Sequence, residues 1–131
     1  MGSAKDVGVE LDLSVRRLVA RYAHLVDDAD MDAVCDLFVD DGRLIIDGQH
    51  HEGRQAIRAF LETAPRGTLH NMSNVVVSYG SQEGTVHALS DAAFLAKVDG
   101  QWTVAAVCRY HDTMVGEGRS LRFRQRIVTL R

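Results

Sequence analysis

The second half of the chain constrains the fold most, because it consists of four long, apolar-rich segments joined by short turns. These segments are residues 68–79, 85–98, 101–114 and 121–130. The connections contain Gly80-Ser81, Asp99-Gly100 and Gly116-Glu117-Gly118, and glycine-containing turns between strand-like segments are typical of β-hairpins. The pattern predicts a four-stranded antiparallel meander, in which neighbouring residues of a strand point to opposite faces of the sheet.

The first half of the chain has the periodicity of helices. Residues 11–26 place apolar side chains on one helical face, and Asp12 or Ser14 is positioned to cap the first turn. Asp30 is positioned to cap a second helix that extends through Phe38. The predicted inner face of this second helix consists of Ala33, Val34, Leu37 and Phe38.

A third helix follows a short irregular region. Asp40-Asp41-Gly42 ends the second helix, residues 43–47 are predicted as a short strand, and Gly48 begins a turn. Residues 53–64 then form a helix, which Pro65 terminates. Three helices followed by hairpin strands indicate an α+β domain, in which a curved, mostly antiparallel sheet wraps around the helices.

Length and charge restrict the function classes. A chain of 131 residues, 46% of them hydrophobic, suits one domain, which we expect at residues 11–131 after a disordered stretch at residues 1–10. The formal charge of −3 gives no general attraction to nucleic acid or anionic lipid. No apolar run approaches the roughly 20 residues of a membrane span, and residues 1–10 lack the features of a signal peptide. We therefore expect a cytoplasmic protein without nucleic-acid or membrane partners.

Metal and disulfide chemistry is not indicated. Cys35 and Cys108 stand alone in apolar stretches, which is typical of buried core thiols. His50-His51-Glu52 has no third ligand at a suitable spacing, and adjacent side chains diverge, so these residues are interpreted as a solvated turn. We expect neither a metal nor another cofactor.

Three stretches of the sequence, taken in order, resemble a known superfamily. They are RYAHLVDDADMDAVCDLFVDDGRLIIDG, HHEGRQAIRAFL and TLHNMSNVVV. Together they are similar to the SnoaL-like branch of the nuclear transport factor 2-like superfamily, over nearly the whole chain. The resemblance implies a cone-shaped fold with a mostly apolar cavity. Members include ketosteroid isomerase, scytalone dehydratase, polyketide cyclases, limonene epoxide hydrolase and transport proteins without catalysis, so the fold does not select a reaction.

The resemblance implies a catalytic pair at Asp27 and His70. In the dehydratase and dehydrochlorinase members, an aspartate near the end of the first helix orients a histidine that removes a proton from carbon. A carboxylate that accepts from one ring nitrogen leaves the other nitrogen as a base near neutral pH. Asp28 or Asp30 is an alternative to Asp27, because one residue corresponds to a rotation of about 100° around a helix. The alternative for His70 is a hydrogen-bonded core residue.

Tyr22 matches the tyrosine that, in ketosteroid isomerase, donates a hydrogen bond to the developing oxyanion. The same alignment puts Ile46 where that isomerase keeps its aspartate base, and Asp47 is one residue away, on the opposite strand face. The second histidine of scytalone dehydratase falls near Leu95. Neither mechanism is therefore expected in full.

Further side chains are expected to contact the substrate. Two of them, Arg109 and His111, share one strand face by alternation. The other face carries Cys108, Tyr110 and Asp112, so the two sets cannot both point inward. A surface position is therefore the alternative for Arg109. Another alternating set on the last strand is interpreted as a solvated or dimer-facing surface, namely Arg122, Arg124 and Arg126. The expected substrate contacts are Arg109, His111, Ser90, Phe60 and Met72.

The predicted function is that of a cofactor-free lyase or isomerase acting on a small apolar carbonyl or polycyclic substrate. His70 would take a proton from carbon, Asp27 would orient it, and Tyr22 would stabilise the oxyanion. Two alternatives stay open: a non-catalytic binding or interaction domain with the same pocket, and an epoxide hydrolase whose Asp-Arg-Asp arrangement would use Arg109, although two aspartates cannot be placed beside it. Because family members commonly pair through the outer sheet face, we expect a homodimer.

Overall fold

The computed structural model describes residues 6–131. It contains three helices and six strands. The helices are α1 (Val9–Asp27), α2 (Met31–Cys35) and α3 (Arg54–Leu61). The strands are β1 (Phe38–Ile46), β2 (Gln49–Glu52), β3 (Leu69–Tyr79), β4 (Thr85–Val98), β5 (Gln101–Val115) and β6 (Arg122–Leu130), and a short 3₁₀ turn, Gly118–Ser120, precedes β6.

The strands form a single sheet in the order β2-β1-β6-β5-β4-β3. The predicted meander of β3 to β6 is confirmed, with antiparallel pairing at each step. Strand β1 adds to β6 in parallel, and β2 pairs antiparallel with β1. The sheet is curved and does not close, and the helices cover its concave face, so the α+β cone is confirmed.

Two hairpins have two-residue loops: Asp99-Gly100 was predicted as a turn, whereas Asp47, which precedes the predicted turn residue Gly48, was predicted to end the strand. Ile46 pairs with Gln49, and Val98 pairs with Gln101, which leaves the two-residue loops Asp47-Gly48 and Asp99-Gly100. All four loop residues have positive φ. Positive φ at both central residues is the property of the tight turns whose twist matches that of paired strands, and Asp-Gly is favoured there.

The second helix is shorter than predicted. α2 ends at Cys35, and Phe38 begins β1 instead of closing the helix. Phe38 is fully buried, and its ring packs against those of Tyr22 and Phe123 at centroid distances of 6.1 and 5.4 Å. The backbone N–H of Phe123 also donates to the carbonyl oxygen of Leu37 at 2.8 Å. Packing of Phe38 into the sheet therefore outweighs the local helical pattern.

Three further regions differ from the predictions. The Asp40-Asp41-Gly42 segment lies inside β1, at an irregularity in its pairing with β6, and residues 49–52 form β2 instead of a solvated turn. α1 begins at Val9 with Gly8 at its N-cap and no side-chain cap, so neither predicted cap residue acts as one. Residues 9 and 10, predicted to be disordered, are helical, and residues 1–5 lie outside the described part of the chain.

Candidate functional site

Asp27 and His70 form a hydrogen-bonded pair at one end of α1. Oδ1 of Asp27 lies 2.6 Å from Nδ1 of His70, and the backbone N–H of His70 donates to the same carboxylate, 3.0 Å from Oδ2. The two side chains are only 9% and 14% exposed. A carboxylate at a helix C-terminus is disfavoured by the helix dipole, and these hydrogen bonds supply the compensation.

The pair leaves His70 with one basic nitrogen. The carboxylate of Asp27 accepts from Nδ1–H, so Nε2 carries the lone pair in the neutral ring. Burial lowers the pKa of His70 from its usual value, and this outweighs the opposing effect of Asp27. The ring of Phe94 packs edge-on against His70 at 4.4 Å. His70 is therefore neutral at physiological pH and able to accept a proton.

The alternatives to Asp27 have other positions. Asp28 lines the same cavity as Asp27 and His70 but does not hydrogen-bond to the histidine. The Asp30 carboxylate accepts from the backbone N–H of Ala33, at the start of α2. This cavity has a volume of about 120 Å³ and is walled by the α1–α2 turn and the α3–β3 connection. Small-molecule sites usually measure about 300–1,000 Å³, so a polycyclic substrate requires the lining to move.

A second polar cluster lies inside the cone, around Arg126. Its guanidinium donates from Nε and Nη2 to the two carboxylate oxygens of Asp112, at 2.8 and 3.0 Å, and both side chains are 0% exposed. The guanidinium also lies 4.3 Å from each of three ring centroids, those of Tyr22, Tyr110 and Phe123. Cation–π contacts of this kind add to the stability of a desolvated arginine.

The interpretation of Arg126 as a surface residue was wrong. Thr113 pairs with Gln125 whereas Met114 pairs with Phe123, so Arg124 is an extra residue in β6. Such a bulge shifts the alternation of the strand by one residue and turns Arg126 inward. The sequence alone does not reveal the bulge, because Phe123 and Ile127 fit a regular alternation; in the structure Val128 is buried and Ile127 only partly so.

Burial keeps the groups of this cluster in defined protonation states. Burial raises the pKa of Tyr22 to about 12 and also raises that of Tyr110, so both hydroxyls stay protonated. Burial disfavours the charge of Arg126, but the Asp112 carboxylate more than offsets this and the pKa of the guanidinium is raised. Within residues 6–131, Nη1 of Arg126 and Oγ of Ser90 are buried without a hydrogen-bond partner. The cone thus offers two polar atoms not used by the fold.

The other predicted contact residues separate into two groups. Ser90 is fully buried, and Met72 packs against the core from β3. Phe60 is partly buried, stacks on His51 at 4.2 Å, and is not among the residues that line the Asp27–His70 cavity. Arg109 lies on the outer sheet face, together with the exposed His111.

A substrate-binding role inside the cone is therefore wrong for Arg109 and His111. Arg109 donates to the Asp91 carboxylate at 2.9 Å, which lowers the pKa of Asp91 to about 2. Strand alternation places Cys108, Tyr110 and Asp112 inward instead. Arg109 is therefore also not placed to form the Asp-Arg-Asp arrangement of an epoxide hydrolase. The buried Arg126 does not form that arrangement either, because it pairs with a single aspartate.

The cysteines are buried, and the histidine-rich segment is part of a strand. Cys35 and Cys108 are free and buried, and burial raises the pKa of both thiols, so the prediction of core thiols is confirmed. His50 and His51 lie in β2. In the part of the chain that the structure describes, no three His, Cys, Asp or Glu side chains converge on a metal position.

Comparison with known proteins identifies the family. The sequence profile of the SnoaL-like domain matches residues 8–127. The chain belongs to the SnoaL-like domain family. No curated protein matches the sequence.

Solved structures have the same fold as this SnoaL-like domain. A nuclear transport factor 2-like protein with a cystatin-like fold from Novosphingobium aromaticivorans is 25% identical, with 93% of this chain and 82% of that chain covered and a TM-score of 0.83. A candidate scytalone dehydratase from the same species is 22% identical, with coverage of 90% and 82% and a TM-score of 0.76. A protein from Catenulispora acidiphila in complex with S-DNPA is 23% identical, with coverage of 94% and 95% and a TM-score of 0.80.

The SnoaL-like domain departs from ketosteroid isomerase at the position of the base. Ile46 is partly buried against the core, whereas Asp47 lies in the β1–β2 turn. Among residues 6–131, no helix has the length and apolar character needed to cross a membrane.

Proposed function

We propose that this SnoaL-like domain is a cofactor-free lyase or isomerase that removes a proton from carbon in a small organic substrate. The observation that carries the proposal is the Asp27–His70 pair, in which a buried carboxylate 2.6 Å from Nδ1 holds the imidazole with Nε2 as its basic atom. A histidine with a lowered pKa is unprotonated at neutral pH, which a general base requires.

The cluster around Arg126 supplies hydrogen-bond donors for the oxygen on which negative charge develops. When Nε2 of His70 takes a proton from the carbon next to a carbonyl, the electron pair moves to the carbonyl oxygen and forms an enolate. We assign Nη1 of Arg126, which has no hydrogen-bond partner within residues 6–131, and the protonated Tyr22 hydroxyl as the donors to that oxygen. Neither residue lines the cavity beside the pair, so this assignment requires the substrate oxygen to extend from that cavity into the cone. Return of the proton to another carbon completes an isomerisation, and loss of a β-hydroxide completes a dehydration.

The volume beside the pair favours a small substrate over a polycyclic one. A cavity of about 120 Å³ suits an open-chain or single-ring carbonyl compound. This narrows the range of carbonyl and polycyclic substrates that the sequence alone suggested.

The test is proton exchange at carbon, measured by NMR in D₂O with small ketones and β-hydroxy ketones. We expect the wild type to accelerate exchange of the proton next to a carbonyl, and His70→Gln to lose the factor of about 10²–10⁴ that a general base contributes. Asp27→Asn should lose part of it. His24→Gln, a change at an exposed histidine of α1, is the matched control and should exchange at the wild-type rate. Equal rates for wild type and a folded His70→Gln variant would contradict the mechanism.

A second function, that of a non-catalytic binding domain, is favoured by one specific observation. The Asp27 carboxylate also accepts from the backbone N–H of His70, so the pair ties α1 to β3 in the manner of a structural contact. If this is its whole role, Asp27→Asn and His70→Gln will lower the free energy of unfolding, and no tested compound will show exchange in the wild type.

We also propose that two copies pair through the outer sheet face. Leu69, Leu95 and Val104 lie side by side across β3, β4 and β5 on that face, and Val104 is 57% exposed. Nearby on β5, Val107 is also exposed. An apolar row on the solvent side of a sheet is typical of an interaction surface, and the mass in solution tests this.

A further inference from the structure

A groove between α1 and the β5–β6 connection carries four arginines. It has a volume of about 630 Å³ and shares no lining residue with the Asp27–His70 cavity. Its lining consists of Ser14, Arg17, Leu18, Arg21, Leu37, Gly118, Arg119, Leu121 and Arg122. We call it the arginine groove.

The local structure places these arginines on two facing walls. Arg17 and Arg21 are one turn apart on α1 and lie on the same helical stripe as Ser14 and Leu18. The opposite wall is the 3₁₀ turn and the start of β6. There Nη1 of Arg122 donates to the carbonyl oxygens of Arg119 and Leu121, at 2.7 and 3.0 Å, which holds its guanidinium against the turn.

The arginines of the groove have no ion-pair partner within residues 6–131. Carboxylates pair with six other arginines, namely Arg16, Arg43, Arg54, Arg58, Arg109 and Arg126. None of the four groove arginines forms an ion pair among residues 6–131, and no carboxylate lines the groove. Guanidinium groups stay charged at every physiological pH. The groove is therefore a positive site on a chain whose formal net charge is −3.

The floor of the arginine groove is apolar. Leu18, Leu37 and Leu121 are buried beneath the four guanidinium groups. A ligand that fits both parts has an anionic group for the walls and an apolar part for the floor. The volume lies within the range of about 300–1,000 Å³ that is usual for small-molecule sites, and the planar fork of a guanidinium matches the geometry of phosphate oxygens.

We propose that the arginine groove binds a small organic phosphate. Its phosphoryl oxygens contact Arg17 and Arg119 on the facing walls, and its apolar part lies on the leucine floor. A diphosphate fits best, because the four permanent positive charges of the groove exceed the negative charge of a single phosphate monoester. The site is separate from the proposed catalytic pair, so the proposal stands whatever the outcome for that reaction.

Isothermal titration calorimetry with inorganic pyrophosphate, at constant ionic strength, tests the charged half of the site. We expect saturable binding at one site per chain, weakened at least tenfold in Arg17→Gln/Arg119→Gln. The matched control is Arg124→Gln, because Arg124 is exposed on β6 and lies outside the groove; it should bind within twofold of wild type. Binding that is absent, or weakened equally by the control substitution, overturns the proposal. Circular dichroism confirms that the variants fold, and Arg21→Glu provides an independent substitution.

Four further probes distinguish the sources of the phosphate. We expect hexyl phosphate to bind more tightly than methyl phosphate, because its chain covers the leucine floor; equal affinities would exclude the apolar contact. Vesicles containing phosphatidic acid, and a 20-base-pair DNA duplex, are the remaining two. If either binds to the wild type in preference to pyrophosphate and loses binding in Arg17→Gln/Arg119→Gln, the small-molecule assignment is replaced by a lipid surface or a nucleic acid.

Discussion

Replacement of Asp112 by asparagine isolates the contribution of the buried ion pair. In the wild type, the carboxylate accepts two hydrogen bonds from Arg126, and neither side chain is exposed. The substitution preserves the shape of the side chain but removes its charge, so the guanidinium remains charged in the buried interior. Breaking a buried pair from one side destabilises a protein by about 3–5 kcal/mol. We expect about 3 kcal/mol, because the amide oxygen still accepts one hydrogen bond.

Urea unfolding followed by far-UV circular dichroism measures this loss. With a dependence on urea of about 1.5 kcal/mol per molar, the midpoint should fall by about 2 M. The matched control is Asp91→Asn, which breaks the similar pair with Arg109 on the outer face, where the two side chains are 34% and 23% exposed. A pair that water reaches contributes about 1 kcal/mol or less, so the control should lose far less stability.

Two results would refute this reasoning. The first is a loss in Asp112→Asn no larger than that in Asp91→Asn. The second comes from Asp112→Leu/Arg126→Met, which removes both charges and should recover most of the stability lost in the single variant. If the double variant is less stable than Asp112→Asn, the loss arises from packing and not from an unpaired charge.

Three other predictions follow from the fold. Burial lowers the pKa of His70, so below a pH of about 6.5 the unfolded chain binds the proton more readily, and the free energy of unfolding decreases as the pH decreases. In His70→Gln, the urea midpoint should therefore depend less on pH between pH 7 and pH 5. An unchanged dependence would contradict the lowered pKa. Gly116 has φ of 95°, and a Cβ there would lie 2.5 Å from the Ser120 carbonyl oxygen. At Gly100, φ is 78° and no atom lies within 4 Å of such a Cβ. Gly116→Ala should therefore lower the thermal midpoint more than Gly100→Ala, and equal losses would show that the close approach is unimportant. Val104→Asp should halve the mass measured by sedimentation equilibrium, and a wild type that is already monomeric would rule out pairing through the sheet.

Local patterns predicted the meander well because its hairpins are short and their turns are specified by sequence. Asp99-Gly100 determines the register of β4 against β5 without information from the rest of the chain. Phe38 is different, because its strand partner, Phe123, is 85 residues away in the sequence. No local pattern contains that pairing, so the helical spacing of the preceding residues suggested the wrong element.

The candidate site was only partly predictable, because its residues come from distant parts of the sequence. The proximity of Asp27 and His70 followed from a family resemblance, since residues 43 positions apart have no local relation. Arg126 was missed because regular alternation was assumed along β6, and one extra residue at Arg124 reverses it. Alternation in β5, where the register is regular between Val107 and Thr113, placed Tyr110 and Asp112 on the face opposite Arg109 and His111, but it did not indicate which face points inward.

The parallel pairing of β1 with β6 has a consequence for the order of folding. The β4–β5 hairpin closes over a two-residue loop, whereas Leu44 must meet Arg126 across more than half of the chain. Local contacts form quickly, and contacts between distant residues form slowly because closing a long loop restricts more of the chain. We expect the meander to form first and β1 to dock last. Until it does, β6 is a free edge that a second unfolded chain can join, so refolding at high protein concentration should lose yield to aggregation at this step.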